Sequence, residues 1–194
     1  PPTEPPKPAQ LTKDRDLPGL WMTHDPAIFR DPENRNYYIY STGALCRRSA
    51  DLLHWENLGK VVGDPPAESV AWTKSHDIWA PDIVKVGSEY RLYCSNSSWG
   101  VRQSCIFLAV SDKPEGPFVP RGCVLETSDD LPVNGIDANI IEDARTGEQY
   151  LLYGSFWGGC HILRLDKTTG LAAEDGIGTC LAKRPAWTDC AIEG

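Results

Sequence analysis

Four acidic residues recur along this chain at nearly equal intervals. Asp25, Asp82, Asp137 and Glu193 are separated by 57, 55 and 56 residues. Carboxylates that converge on one pocket can divide acid and base work, because like charges held close together push their pKa values apart. One group can then donate a proton while another stays ionised. The spacing therefore predicts one site that is assembled from several repeats of the chain.

Each of the first three acids is followed by a turn and an aromatic strand that ends in a serine-containing turn. These strands are Tyr37–Ser41, Tyr90–Ser95 and Tyr150–Ser155. A fixed period with several short strands per repeat is typical of the blades of a β-propeller, which radiate from a central axis. Equivalent acids on the innermost strands would then face one another. Because no stretch has the pattern of a long amphipathic helix, the sequence predicts an all-β fold.

The domain organisation follows from composition. Residues 1–18 are proline-rich and charged, and we interpret them as an extended arm that is too polar to join a core. Residues 19–194 are expected to belong to one β-propeller domain, with Trp55 in its core. The 19 basic and 27 acidic residues give a net charge of −8 without a basic cluster. This balance argues against nucleic acid or a membrane as a partner and favours a neutral ligand.

The seven cysteines show neither CxxC pairs nor the spacing of a zinc site. Cys94 and Cys105 flank a stretch that is expected to turn near Trp99-Gly100, which would place them opposite each other on neighbouring strands. A disulfide between them is one interpretation. The alternative is that most of the cysteines are small buried hydrophobic residues. The odd number leaves at least one thiol without a partner in this chain.

Aromatic residues in glycine- and serine-rich turns indicate the kind of ligand. Trp99, Phe156 and Trp157 lie in such turns, where packing alone does not require them. Aromatic rings cover the apolar faces of sugars, while carboxylates supply the acid and base for glycoside cleavage. These residues therefore favour a sugar site. The alternative is that the three rings close blades as part of the core.

Taken together in order and spacing, the motifs resemble glycoside hydrolase family 43, and among its members the endo-1,5-α-L-arabinanases. The resemblance covers residues 20–194. It rests on His24-Asp25-Pro26, Trp79-Ala80-Pro81-Asp82, Leu92-Tyr93-Cys94-Ser95 with Trp99-Gly100, Asn134-Gly135-Ile136-Asp137, Gly154-Ser155-Phe156-Trp157-Gly158-Gly159, and Ala182-Lys183-Arg184-Pro185 ahead of Ile192-Glu193-Gly194. Members of this kind are five-bladed propellers that cut the arabinan backbone with inversion.

The resemblance implies specific roles. Asp25 would be the general base that activates water, Glu193 the general acid, and Asp137 the residue that tunes the acid and orients the sugar. Asp82 is expected to be a structural acid or to touch substrate. The other expected substrate-binding residues are His24, Trp99, Asn134, Ser155, Phe156 and Trp157. This chain differs from the family pattern in reading Asn-Gly-Ile-Asp-Ala rather than Asn-Ala-Ile-Asp-Pro, and in having Cys94 and Trp99 where other aromatic residues are usual.

The resemblance also implies partners. The chain would supply about the first three of five blades and the start of the fourth, so the missing C-terminal blades are expected in the same or a second chain. The substrate would be arabinan or an arabino-oligosaccharide, and the enzyme would be extracellular. A calcium ion on the propeller axis is implied as well, with its protein ligand outside this chain, so the metal ligands are unknown.

Three alternatives remain open from the sequence. The same scaffold could carry an exo-acting α-L-arabinofuranosidase or a β-xylosidase. It could be a sugar-binding propeller without catalysis, although three acids at family spacing argue against this. The acids could also cap turns, as most surface aspartates do. The repeat interval argues against that interpretation for the whole set.

Overall fold

A computed structural model describes residues 22–183, which form three four-stranded antiparallel sheets and one short helix. Sheet one contains β1 (Ala27–Arg30), β2 (Tyr37–Ser41), β3 (Leu45–Ser49) and β4 (Glu56–Lys60). Sheet two contains β5 (Ile78–Val86), β6 (Glu89–Asn96), β7 (Ser104–Ser111) and β8 (Val119–Thr127). Sheet three contains β9 (Asn139–Glu142), β10 (Gln149–Ser155), β11 (Gly159–Leu165) and β12 (Thr179–Ala182).

The strand order confirms the repeat that the sequence predicts. Within each sheet the strands pair in chain order, and each repeated aromatic segment is the second strand of its sheet. The first strands lie side by side, since β1 packs against β5 and β5 against β9. The three sheets therefore present equivalent edges to one another, as successive blades do. The number of blades in a complete ring stays a prediction, and the expected arm over residues 1–18 lies outside the described residues.

Sheet two has a core on both of its faces. One cluster joins it to sheet one and includes Tyr40, Leu92 and Phe107. The other joins it to sheet three and includes Ile106 and Leu151. Because both faces of the sheet are covered, β6 and β7 are buried at almost every position instead of alternating between buried and exposed residues. Contrary to prediction, Trp55 belongs to neither cluster and is half-buried at the surface.

Tyrosine hydroxyls connect consecutive sheets in the same way at both junctions. Tyr40 on β2 donates to the carbonyl oxygen of Pro114 at 2.5 Å. Tyr93, at the equivalent place on β6, donates to the carbonyl oxygen of Gly170 at 2.9 Å. Both acceptors lie between the third and fourth strands of the next sheet. Arg91 strengthens the second junction through the carbonyl oxygens of residues 167 and 168. The repeated aromatic strands thus hold one sheet to the next as well as filling the core.

The helix α1 (Ala67–Thr73) was not expected from the sequence. It lies between β4 and β5 and ends at Lys74, whose left-handed backbone directs its N–H to the carbonyl oxygen of Val70. Asn96 holds it on sheet two, because its Oδ1 accepts the hydroxyls of Ser69 and Thr73, each at 2.7 Å. Seven residues give too few turns to produce a recognisable hydrophobic period. In residues 22–183, no helix is long and apolar enough to cross a membrane.

The interpretation that Cys94 and Cys105 form a disulfide is wrong. Strand β6 pairs with β7 so that Cys94 faces Phe107 and Cys105 faces Asn96. The cysteines are therefore displaced by two residues along the ladder, and neither has the other as its direct cross-strand neighbour. Each of the six cysteines in the described part of the chain is a free thiol, and Cys190 lies outside it.

Asp82 on β5 connects sheet two to sheet three. Its Oδ2 accepts the backbone N–H of Ile140 at 2.6 Å and the side-chain amide of Asn139 at 3.2 Å. Burial raises the pKa of this carboxyl, and the hydrogen bonds only partly oppose that rise. The backbone bond needs an acceptor at this position but does not need a charge.

We therefore expect the two substitutions Asp82→Asn and Asp82→Ala to differ in stability when each is made in the full-length protein. Asparagine keeps an acceptor for Ile140, whereas alanine leaves that N–H without its partner at a cost of about 1–3 kcal/mol.

Because the folded pKa of Asp82 is raised, the contribution of this carboxyl to the free energy of unfolding is most favourable below the unfolded pKa and is lost as pH rises through the folded pKa. The asparagine variant should therefore gain stability relative to wild type as pH rises. Denaturant unfolding at several pH values measures this; equal losses for both variants would exclude the acceptor role.

Candidate functional site

A cavity of about 290 Å³ opens where the three sheets meet. The loops before β1 and β9, the turns after β6 and β10, and the start of β5 line it. Its lining residues are His24, Asp25, Trp79, Ser98, Trp99, Gly100, Val101, Asn134, Ile136, Asp137, Ser155, Phe156 and Trp157. Eight of the ten residues that the sequence assigned to a site thus surround one space.

Asp25 is held by the turn between β2 and β3. The Thr42 hydroxyl donates to Oδ2 of Asp25 at 2.7 Å, and Nδ1 of His24 lies 2.7 Å from the same oxygen. The backbone N–H of Thr42 donates to the carbonyl oxygen of His24 at 3.0 Å. Thr42 therefore fixes both the loop and the carboxylate. No sequence motif singled it out, because its contact spans 17 residues between a loop and a turn.

Asp137 is fixed from sheet two. Its backbone N–H donates to Oγ of Ser95 at 2.9 Å. Ser95 is fully buried, and its hydroxyl lies 3.4 Å from the carbonyl oxygen of Ala80 as a donor. The serine that ends the second aromatic strand thus positions an acid that belongs to the third repeat.

Asp25 and Asp137 occupy equivalent positions with the same unusual backbone. Each lies two residues before the first strand of its sheet, and their φ angles are 50° and 58°. Residues other than glycine seldom adopt left-handed backbone, and those that do concentrate at functional sites. Asp82 differs from both, because it lies inside β5 and is not among the residues with positive φ.

The loop that carries Asp137 is tightly packed. Asn134 is buried, and its Oδ1 accepts the Ser104 hydroxyl at 2.7 Å. The N–H of Gly135 donates to Oγ1 of Thr127 at 2.9 Å. A Cβ at Gly135 would lie 3.1 Å from that oxygen and 3.2 Å from the methyl carbon of Thr127. Thr127 therefore explains why this chain has glycine where the resemblance led us to expect alanine.

Aromatic rings form much of the cavity wall. Trp99 is 82% exposed, and the rings of Phe156 and Trp157 lie 4.7 Å apart between centroids at an angle of 41°. Trp79, at the start of β5, adds a fourth aromatic residue that was not among the predicted site residues, although it belongs to the Trp79–Asp82 motif. None of the four belongs to the core clusters of residues 22–183. Such rings can pack against the apolar face of a sugar, while the two carboxylates can accept hydrogen bonds from its hydroxyls.

The structure does not bring Asp82 into the aromatic cavity. Asp82 instead lines a second cavity of about 450 Å³, which it shares with Asp25, Asp137 and Asn139. Ser155 does border the aromatic cavity, and its hydroxyl accepts the N–H of Trp157 at 3.2 Å. Glu193 lies outside the described residues, so no position is given for it.

Among residues 22–183, carboxylates alone do not give the second cavity a cluster of metal ligands. Calcium takes six to eight oxygen ligands at about 2.3–2.6 Å. Among residues 22–183, the acids of this cavity do not supply three ligand atoms within 4.8 Å of one another.

Comparison with known proteins finds one matching family model and relatives that are named as arabinanases or arabinosidases. The family model "Glycosyl hydrolases family 43" matches residues 21–185. An extracellular endo-α-(1→5)-L-arabinanase of Thermotoga petrophila is 30% identical over 179 residues, which cover 77% of this chain and 37% of that protein. A probable arabinan endo-1,5-α-L-arabinosidase A of Aspergillus flavus is 36% identical over 143 residues, covering 72% of this chain and 43% of that protein.

Solved structures share the fold. The structure of endo-1,5-α-L-arabinanase from Thermotoga petrophila matches with a TM-score of 0.73 and 28% identity, over 82% of this chain and 42% of that chain. An exo-1,5-α-L-arabinanase from a bovine ruminal metagenomic library matches with a TM-score of 0.75 and 27% identity, over 88% and 58%. An α-L-arabinanase of Cellvibrio cellulosa in complex with arabinohexaose matches with a TM-score of 0.70 and 27% identity, over 78% and 50%.

This chain spans 37% and 43% of the length of the two curated relatives described above. The family match nevertheless covers all of the described residues, including both acids of the aromatic cavity. The chain belongs to family 43 of the glycosyl hydrolases.

Proposed function

We propose that this chain forms part of an enzyme that hydrolyses α-1,5-linked L-arabinan at internal linkages with inversion. The observation that carries the proposal is the placement of Asp25 and Asp137, from equivalent points of two repeats, in one cavity with four aromatic residues. The curated relatives named as endo-acting arabinanases supply the substrate class. The structural relative bound to arabinohexaose is consistent with a linear pentose chain as the ligand.

In the proposed mechanism, Asp25 removes a proton from water as the water attacks the anomeric carbon. Glu193 protonates the leaving oxygen, and Asp137 orients the sugar and tunes the acid. An inverting enzyme needs about 6.5–9.5 Å between its base and its acid to leave room for that water. The Thr42 hydroxyl supports the role of Asp25, because it holds one carboxylate oxygen and so sets the direction of the other.

The aromatic residues and buried polar groups would recognise the substrate. Trp99 and the Phe156–Trp157 pair offer faces for apolar sides of pentose rings. Asn134 and Ser155 lie deeper, where their polar atoms are within reach of sugar hydroxyls at the cavity floor. His24 is 80% exposed beside Asp25, a position that suits contact with substrate better than transfer of a proton from the interior.

We further propose that the active enzyme contains blades beyond those described. This chain covers 37%, 43% and 50% of the length of three relatives, which is consistent with a ring completed by additional sheets. A calcium ion on the axis would then take its protein ligand from those additional blades. Secretion is proposed by analogy with the Thermotoga petrophila relative, which is named as extracellular.

Product analysis on debranched linear arabinan tests the proposed function. The full-length enzyme is expected to release a ladder of arabino-oligosaccharides early in the reaction. Release of a single sugar from the first time points would instead identify exo action, as in the ruminal relative. Binding of arabinan without any product would contradict the catalytic proposal and support a sugar-binding propeller.

Asp25→Asn in the full-length enzyme should remove most turnover while preserving substrate binding. A positioned general base contributes about 10²- to 10⁴-fold to the rate, whereas asparagine keeps the shape of the carboxylate. Initial rates on linear arabinan and calorimetry with an arabino-oligosaccharide measure the two effects. The matched control is Asp112→Asn, an exposed aspartate just after β7 that should leave both quantities unchanged. Retention of more than about a tenth of the wild-type rate would refute the role given to Asp25.

Thr42→Val should lower kcat more than it raises KM, because it removes the donor to Asp25 without removing a residue that lines the cavity. Loss of a positioning hydrogen bond is expected to reduce the rate by about tenfold or more. Thr42→Ser retains a hydroxyl and should recover most of that loss. If the serine variant were as slow as the valine variant, a hydroxyl at residue 42 would not be sufficient for the rate, and the positioning role given to the Thr42 hydroxyl would be wrong.

A further inference from the structure

Two cysteines and a glutamate meet on one face of sheet two, on strands β7 and β8. Cys105 faces Glu126 across the strands, and Phe107 faces Cys123, with a register irregularity between Ile106 and Phe107. Glu126 shares the face of Cys105 because the two are direct partners, and the irregularity places an extra residue in β8 that returns Cys123 to the same face. Their two sulfur atoms and a carboxylate oxygen all lie within 4.8 Å of one another. Among the described residues, this is the group of three potential metal ligands that meets that spacing.

The donor types favour a zinc-like ion. Zinc binds sulfur at about 2.3 Å and carboxylate oxygen at about 2.0–2.2 Å, usually in tetrahedral geometry. Two sulfur atoms bound to such an ion are about 3.8 Å apart. The sulfur atoms of Cys105 and Cys123 lie within 4.8 Å of each other, so small side-chain rotations could bring them to that separation. Thiolates are poor ligands for calcium and magnesium, which take oxygen. The set differs in this respect from the carboxylates and amide of the second cavity, which offer only oxygen ligands.

The three residues differ in burial, so that one side of the site is fixed in the protein and the other is open to solvent. Cys105 is fully buried, Cys123 is half-buried and Glu126 is exposed. An ion could therefore enter from the side of Glu126 and bind against sulfur atoms held by the sheet. Since a zinc ion with three protein ligands keeps one position for water, the exposed side also suits the fourth ligand.

We propose that Cys105, Cys123 and Glu126 bind one divalent zinc-like ion, which links β7 to β8 beneath α1. On binding, the two thiols lose their protons to solvent and the two thiolates and the carboxylate coordinate the ion. No electron is transferred. The spacing of the cysteines along the chain gives no sign of this site, because its ligands come from two strands that only the fold brings together.

The site would also stabilise the strand that supports the aromatic cavity. Trp72 on α1 donates its ring N–H to the carbonyl oxygen of Thr127, at the end of β8, at 2.9 Å. The hydroxyl oxygen of Thr127 in turn accepts the N–H of Gly135 in the Asp137 loop. None of the three proposed ligands lines the aromatic cavity itself. The ion would therefore act on stability and not on the reacting atoms.

Titration of the reduced, metal-free full-length enzyme with Zn²⁺ and with Cd²⁺ tests the proposal. We expect one ion per chain at this site, release of protons on binding, a cadmium–thiolate charge-transfer absorption, and a higher melting temperature with the ion. Cys123→Ser should weaken binding by more than about tenfold and remove much of the charge-transfer absorption. Glu126→Gln should weaken binding while the absorption persists at saturation, because both sulfurs remain.

The matched control is the double variant Cys160→Ser/Cys180→Ser, which removes the two exposed cysteines of sheet three. It should still bind one ion with the same absorption. Because Cys105 is buried, Cys105→Ser can fail to fold, so Cys123→Ser and Glu126→Gln decide the question. Unchanged binding in Cys123→Ser, absence of any thiolate absorption, or a Cys105–Cys123 disulfide in the purified protein would each overturn the proposal. None of these readouts depends on arabinan hydrolysis, so a failure here is separate from a failure of the proposed function.

Discussion

The left-handed backbone at Asp25 and Asp137 is the constraint around which the rest of the site is arranged. An L-amino acid in this conformation costs about 1–2 kcal/mol, although aspartate tolerates it better than most residues. Neighbouring contacts must therefore hold each acid in place. Thr42 holds Asp25 through its hydroxyl and holds the preceding residue, His24, through its N–H, while the buried Ser95 accepts the N–H of Asp137. Both supporting residues are less exposed than the acids that they hold, with Thr42 in a turn and Ser95 in a strand.

The sheets can hold these acids in common because sheet two is packed on both sides. Tyr40 and Tyr93 donate to carbonyl oxygens of the following sheet, and Asp82 accepts the N–H of Ile140 from sheet three. A shift of one sheet against another would break these bonds together. The relative positions of Asp25 and Asp137 therefore depend on contacts at the junctions as much as on residues in the cavity. Asp82 can therefore influence the relative positions of Asp25 and Asp137 through the junction, although it does not line the aromatic cavity.

The sequence could predict the features that repeat. The aromatic strands, the series of similar sheets and the convergence of Asp25 and Asp137 follow from motifs that recur at a fixed interval, because equivalent sequences occupy equivalent places in successive sheets. Asn134 occurs once, and its place at the site was expected only from the resemblance to family 43. Features that occur once were not predictable in this way. Helix α1 is too short to show a period, and the pairing of Cys94 with Phe107 depends on the conformation of a single loop. Thr42 and Ser95 act on acids far away in the chain, so no local pattern identifies them.

A structure of the full-length Asp25→Asn enzyme with a linear arabino-oligosaccharide tests the central claim most directly. The claim is that Asp25 and Asp137 share a catalytic cavity whose walls bind a pentose chain. The oligosaccharide should lie in the aromatic cavity, with one sugar ring against Trp99 or the Phe156–Trp157 pair. An anomeric carbon should lie close enough to residue 25 for a single water molecule to fit between them. An oligosaccharide bound in the second cavity beside Asp82, or on a surface away from both acids, would contradict it.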